Sequence, residues 1–221
     1  MAGNCKFLPS SAKGDDKMKT RFLLVAALSI VSTTAFAQAN KPVDIDTMEK
    51  SVREMFSKVS PEWQKRNELD ETQRICTQTR NDVTAAQAET IQKRESAGVP
   101  KPPDGKYLGD WKKGFQVANN GRGGQFSDPP GTVAGGNCFA CHQLDPKELS
   151  YGTLGPSLAG YGKQRNYDKD AIADAWKKIY NSQSVVACSN MPRFGSMGIL
   201  NAEQIQDVMA YLFDPQSPVN K

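Results

Sequence analysis

Apolar residues between Val43 and Arg94 recur at the spacing of an amphipathic helix. The clearest run is Met48, Val52, Met55, Phe56 and Val59, which lie three or four residues apart. Pro61 interrupts this helix, and a more polar helical pattern continues from Glu62 to Arg94. The pattern predicts a helical extension over residues 38–103, which ends in the Pro-rich linker Gly98–Pro103.

Residues 104–221 alternate predicted helices with irregular loops. Asp110 and Asp168 are each positioned to cap a helix that starts at the next residue, and Asn201 with Gln204 forms a capping box. The last helix carries Ile205, Val208, Met209 and Leu212 on one face. Loops rich in Gly and Pro separate these helices, and no strand pattern is evident. We therefore predict an all-α domain over residues 104–221.

Residues 1–37 have the composition of a leader. Met18, Lys19 and Arg21 open a basic segment, Phe22–Val31 is mostly apolar, and Ala35-Phe36-Ala37 is typical of a cleavage site. The apolar run is too short to span a membrane. We expect a signal peptide that begins at Met18 and is cleaved after Ala37. The mature protein would then be periplasmic, without a membrane anchor.

Removal of the leader also changes the charge balance. The whole chain has a formal net charge of +4, but residues 38–221 hold 23 basic and 22 acidic side chains. A nearly neutral chain offers no basic footprint for nucleic acid. Nucleic-acid binding is therefore not expected.

The segment Cys138-Phe139-Ala140-Cys141-His142 carries the candidate chemistry. Two thiols at this spacing can each bond a haem vinyl group, and the following imidazole can bind the iron. A zinc site needs four ligands and a thioredoxin-like motif follows a strand, whereas this segment follows glycines and the chain has one histidine. The motif predicts one covalent c-type haem on Cys138 and Cys141, with His142 as an iron ligand.

The second iron ligand cannot be another histidine of this chain, because His142 is the only one. Met191 precedes a proline in an irregular loop ahead of the last helix, from which a thioether could reach the haem. Met197 lies in the same loop and remains a rival, whereas Met209 has the position of a core residue. Met191 is the preferred candidate.

Four of the five cysteines survive removal of the leader, which contains Cys5, and Cys76 and Cys188 remain once the haem has taken two. An exported protein enters an oxidising compartment, so these two are predicted to form a disulfide. Two buried free thiols, or a thiol that exchanges with a partner, are the alternatives.

The segment Gly152–Leu158 resembles the loop that class I cytochromes c place against the histidine ligand of their haem. The resemblance implies a class I cytochrome c-like haem domain. It also implies that the carbonyl of Pro156 accepts the second ring N–H of His142.

Several segments between residues 105 and 221 resemble the SoxX family, the small mono-haem cytochrome subunits of the SoxAX complex of bacterial thiosulfate oxidation. They are Gly135–Asn137 with the haem motif and Gln143, Gly155–Gly162, Trp176–Asn181, Cys188–Gly195 and Tyr211–Lys221. The stretch Asn190-Met191-Pro192-Arg193-Phe194-Gly195 is the most specific of them. The extension over residues 43–94 departs from the shortest family members.

The resemblance implies a role in electron transfer rather than catalysis. In such a complex, thiosulfate is joined oxidatively to a cysteine of the carrier SoxYZ at a haem of SoxA. The small subunit takes electrons from SoxA and passes them to another cytochrome. From the residues alone, a free mono-haem carrier, a subunit of another periplasmic dehydrogenase and a haem enzyme such as a peroxidase remain open.

Overall fold

The computed structural model describes residues 42–221, and the predicted signal peptide lies outside them. Within this range every regular element is helical and there is no strand, which confirms the all-α prediction. Asp44–Lys221 forms one compact unit, so the extension and the haem segment belong to the same body.

Four helices make up the extension: α1 (Ile45–Met55), α2 (Pro61–Arg66), α3 (Glu71–Gln78) and α4 (Ala85–Ala97). Pro61 is the first residue of α2, where its missing N–H costs nothing. The helical pattern predicted over Glu62–Arg94 is divided into three helices. Capping boxes at Asp70 with Gln73, and at Thr84 with Gln87, start α3 and α4 as separate elements.

Four further helices follow the linker: α5 (Trp111–Asn119), α6 (Tyr161–Gln164), α7 (Lys169–Tyr180) and α8 (Ala202–Phe213). Asp110 caps α5, Asp168 caps α7, and Asn201 with Gln204 forms the capping box of α8, as predicted. Single 3₁₀ turns occur at Cys138–Ala140, Ser182–Ser184 and Pro218–Asn220. The motif cysteines therefore sit on a short turn between longer helices.

Helices α5 and α8 form the most extensive helix contact of the described residues. They cross closely at Gly114, where a Cβ atom would lie 1.9 Å from the carbonyl oxygen of Asp207. Asp207 also accepts a hydrogen bond of 2.7 Å from the backbone N–H of Asp110. Burial raises the pKa of the Asp207 carboxyl above its ordinary value. Helix α5, held in this way against α8, also contacts the 3₁₀ turn of the haem motif.

The main core gathers α5, α7 and α8. Trp176, Met209, Tyr211 and Phe213 are almost fully buried in it. Met209 is thus a core residue, as its helical position predicted. The linker also packs here, because the indole N–H of Trp176 donates a 2.8 Å hydrogen bond to the carbonyl of Pro100.

Candidate haem site

The haem motif forms one tight turn. The backbone N–H groups of Cys141 and His142 both donate to the carbonyl of Cys138, at 3.1 and 2.9 Å. Asn137 starts the turn in the left-handed region, with φ of 50°. Cys138 and Cys141 are both free thiols and half-buried. The turn therefore presents two available sulfur atoms and one imidazole side by side.

The environment of Cys138 favours a neutral sulfur. Burial raises the pKa of its thiol to about 12. A thioether carries no charge and suits the same apolar surroundings.

The loop after the motif fixes the orientation of His142. Its Nδ1 lies 2.7 Å from the carbonyl oxygen of Pro156, so an Nδ1–H can donate there. The lone pair of Nε2 is then the one available to a metal. The backbone N–H of Gly155 donates to the carbonyl of Cys141 at 2.8 Å, and that of Gly152 to Phe139 at 2.9 Å. These bonds bind the loop directly to the motif.

An apolar cavity adjoins His142 and Cys138, and Met191 lines the same cavity. The other lining residues come from α5, α7, α8 and the intervening loops: Ala118, Leu144, Leu158, Ile179, Phe194, Leu200, Val208, Tyr211 and Leu212. Apart from His142, the thiol and the Tyr211 hydroxyl, these side chains are hydrocarbon or thioether. Such a lining suits a large apolar ring that is bound by its edge and its metal.

The three methionine candidates differ in their surroundings, although Met191 also reaches the outer cleft that Met197 lines. Met191 faces the cavity, Met197 is half exposed and lines an outer cleft, and Met209 is buried in the core. Hydrogen bonds with two serines also hold the backbone of Met191 in place. Its carbonyl accepts a 2.5 Å hydrogen bond from the hydroxyl of Ser182, and its N–H donates to the hydroxyl of Ser189. Of the three, Met191 is the one that lines the cavity beside His142.

Tyr211 also lines the cavity, although no pattern in the sequence marks it as a site residue. Its side chain is fully buried, and its hydroxyl has no well-formed hydrogen bond among residues 42–221, although Asn119 lies beside it. Burial raises the pKa of this phenol. A buried hydroxyl without a partner fits a ligand that brings hydrogen-bond acceptors, such as the propionates of haem. The sequence predicted the apolar face of α8. It did not predict which residues of that face line the cavity.

Cys76 and Cys188 are joined by a disulfide, with their Cα atoms 5.3 Å apart. Both are buried and pack with Ile91 in a small second core. The bond connects α3 of the extension to the loop that carries Met191.

Comparison with known proteins agrees with this geometry. The sequence profile of the family described as cytochrome c matches residues 113–214. A protein of Aquifex aeolicus (strain VF5), described as an uncharacterized lipoprotein, is 34% identical over 214 residues, which span 93% of this chain and 100% of the relative. The chain belongs to the cytochrome c family. Membership implies a covalently bound haem c, and the two free thiols, the oriented imidazole and the apolar cavity fit that group.

The matched segment starts inside α5 and ends just after α8. Helices α1–α4 therefore lie outside the cytochrome c match. No helix of residues 42–221 is long and apolar enough to cross a membrane.

Proposed function

We propose that this chain is the electron-transfer subunit of a periplasmic SoxAX-type complex. Joining a cysteine thiol of SoxYZ to thiosulfate forms one S–S bond and releases one proton and two electrons. The chain would take these electrons one at a time from SoxA and pass them to another cytochrome. Haem c, when bound, supplies a metal that accepts and returns one electron.

The observation that carries the electron-transfer role is that His142 and Met191 line the same apolar cavity. His142, held by Pro156, offers one nitrogen ligand, and Met191 offers a thioether. With a haem in the cavity, the surrounding hydrocarbon side chains would keep water away from the iron, which limits side reactions. A peroxidase-type enzyme needs an open coordination position, and Met191 argues against one.

A partner surface is supported by exposed apolar side chains just after the haem motif. Leu149 is fully exposed, Leu154 is 88% exposed, and Tyr151 is 40% exposed. Exposed apolar side chains next to a redox group favour a protein interface. Because residues 38–221 are almost neutral, packing rather than charge steering would hold that interface.

Co-purification with SoxA tests the proposal. We expect a complex that persists at high salt, because contacts between apolar groups are not screened. Only the complex, supplied with SoxYZ, should oxidise thiosulfate. Leu154→Glu should weaken the complex, whereas Met55→Glu, at another exposed apolar position, should leave it intact.

The second candidate function is a free mono-haem carrier or a subunit of a different dehydrogenase. The resemblance to SoxX rests on short segments. The match to the family profile supports a cytochrome c and does not distinguish SoxX from other cytochromes c. A chain that stays monomeric when mixed with SoxA would leave this second candidate in place.

A further inference from the structure

The loop Cys188–Gly198, which carries Met191, contains no helix or strand of its own. Its first residue, Cys188, has a φ of 56°, in the left-handed region that residues other than Gly rarely adopt. Such a loop needs external contacts to hold one conformation. Helices α3 and α4 of the extension supply them.

Arg193 makes the central contact, two residues after Met191. Its side chain is only 9% exposed. One guanidinium nitrogen donates to Asp70, the N-cap residue of α3, and another lies 3.5 Å from Glu95 of α4. A buried guanidinium must be paired, since an unpaired buried charge is costly. The loop is thereby tied to two helices of the extension at once.

Glu95 extends this contact into a network. It accepts hydrogen bonds from the hydroxyl of Thr72 and from the amide of Asn181, the latter at 2.7 Å. Burial opposes its charge, but these hydrogen bonds and the charge of Arg193 outweigh that effect and hold the pKa of Glu95 below its usual value. The carboxylate thus links α3, the end of α7 and the Met191 loop.

Helix α4 also binds the segment just before the loop. The amide of Gln92 donates to the carbonyl of Val185 at 2.8 Å, and the hydroxyl of Ser96 donates to the carbonyl of Ser184 at 3.1 Å. Ser182 in the same segment donates to the carbonyl of Met191. A continuous set of hydrogen bonds therefore runs from α4 to the backbone of Met191.

We propose that the extension positions Met191, and that Arg193, paired with Asp70 and Glu95, is the positioning residue through which it does so. This inference rests on Met191 as the iron ligand of the proposed function. Without the pair, the loop would open more often and Met191 would leave the cavity more often. The extension would then set how readily an added ligand replaces the thioether.

Imidazole binding to the oxidised holoprotein measures this opening. An external ligand that needs the open loop binds with an apparent affinity proportional to the open fraction, so a tenfold larger fraction gives about tenfold tighter binding. We expect about this change for Arg193→Met, together with a weaker sulfur-to-iron charge-transfer band. Arg193→Lys keeps the charge but loses the forked geometry, and should give a smaller change.

The matched control is Arg74→Met. Arg74 pairs with Asp46 and Glu49 inside the extension, away from the Met191 loop. Its loss should lower the melting temperature without altering imidazole affinity. If Arg193→Met also changes only the melting temperature, Arg193 is a structural residue and the inference is overturned.

Two conservative variants keep the test decisive if Arg193→Met does not fold. Asp70→Asn preserves the helix cap, since Asn caps as well as Asp, and removes only the charge. Glu95→Gln keeps the shape of the other carboxylate. Either one should tighten imidazole binding and speed amide hydrogen exchange within residues 188–198, and unchanged values in both variants would contradict the inference.

The same measurements distinguish an error about the iron ligand from an error about the positioning role. A wild-type protein without the charge-transfer band, or a band that survives Met191→Ala, would refute Met191 itself. A band that depends on Met191 but is insensitive to the Arg193 and Glu95 variants would refute only the positioning role.

Discussion

Gly155 lies against the imidazole of His142 so closely that a Cβ atom there would be 2.1 Å from Cε1 of the ring. The backbone N–H of Gly155 also donates a hydrogen bond to the carbonyl of Cys141. The backbone of Gly155 thus cannot move away from the imidazole without breaking its hydrogen bond to Cys141. Next to it, Pro156 accepts from His142 Nδ1. The glycine and the proline together define where the histidine ring lies.

Gly155→Ala should displace the His142 ring, because the added methyl group occupies its position. We expect a loss of about 1–3 kcal/mol in the free energy of unfolding, as for other overpacked sites. The ferric spectrum should show a weakened histidine–iron bond. Gly124→Ala is the control, since a Cβ at Gly124 meets no atom within 4 Å. Equal stability and equal spectra for the two variants would contradict this packing account.

Covalent attachment depends on the two free thiols of the motif turn. Acidified acetone should leave the haem on the wild-type polypeptide. Cys138→Ser and Cys141→Ser should each weaken or abolish attachment, because each removes one thioether. Haem that is extracted from the wild-type chain would refute the interpretation of the motif.

The disulfide should be visible by thiol counting. Denatured, unreduced mature holoprotein, which has lost Cys5 with the leader, should contain no titratable thiol, because Cys76 and Cys188 are joined by the disulfide and the motif cysteines carry haem. The bridge joins residues 112 positions apart, so the chain-entropy model assigns it about 5 kcal/mol. The double variant Cys76→Ser/Cys188→Ser should lose stability of that order, and two titratable thiols in the wild type would rule the bridge out.

Acid should weaken the contact between the extension and the Met191 loop. The pKa of Glu95 is lower in the folded protein than its ordinary value of 4.5. Its stabilising effect is therefore complete above pH 4.5 and is lost as the pH falls through the folded-state pKa. Chemical unfolding across this range should show a shallower acid dependence for Glu95→Gln. Glu89→Gln, in the exposed part of the same helix, should retain the wild-type slope.

Local signals in the sequence predicted much of the fold. Asp110, Asp168 and Asn201 marked three helix starts, because an N-cap acts on backbone N–H groups two or three residues away. Asp70 and Thr84 are equally local signals for the starts of α3 and α4. The prediction of a continuing helix there relied on apolar spacing alone and did not use them.

Most contacts between distant residues could not be predicted from the sequence. The Cys76–Cys188 disulfide is an exception, because cysteine pairing in an oxidising compartment needs no local pattern. Arg193 and Asp70 are 123 positions apart, and neither is unusual in its local context. The motif cysteines and His142 were recognisable because haem attachment fixes their spacing. Tyr211 was not, because helical periodicity defines an apolar face without defining what that face meets.

The oxidised absorption spectrum tests the central claim most directly, that this cytochrome holds its haem between His142 and Met191. We predict a sulfur-to-iron charge-transfer band in the wild type that is retained in Met197→Ala and absent in Met191→Ala. Met197 is the matched control because it lies in the same loop but outside the haem cavity. A band that disappears in Met197→Ala and persists in Met191→Ala would contradict the account.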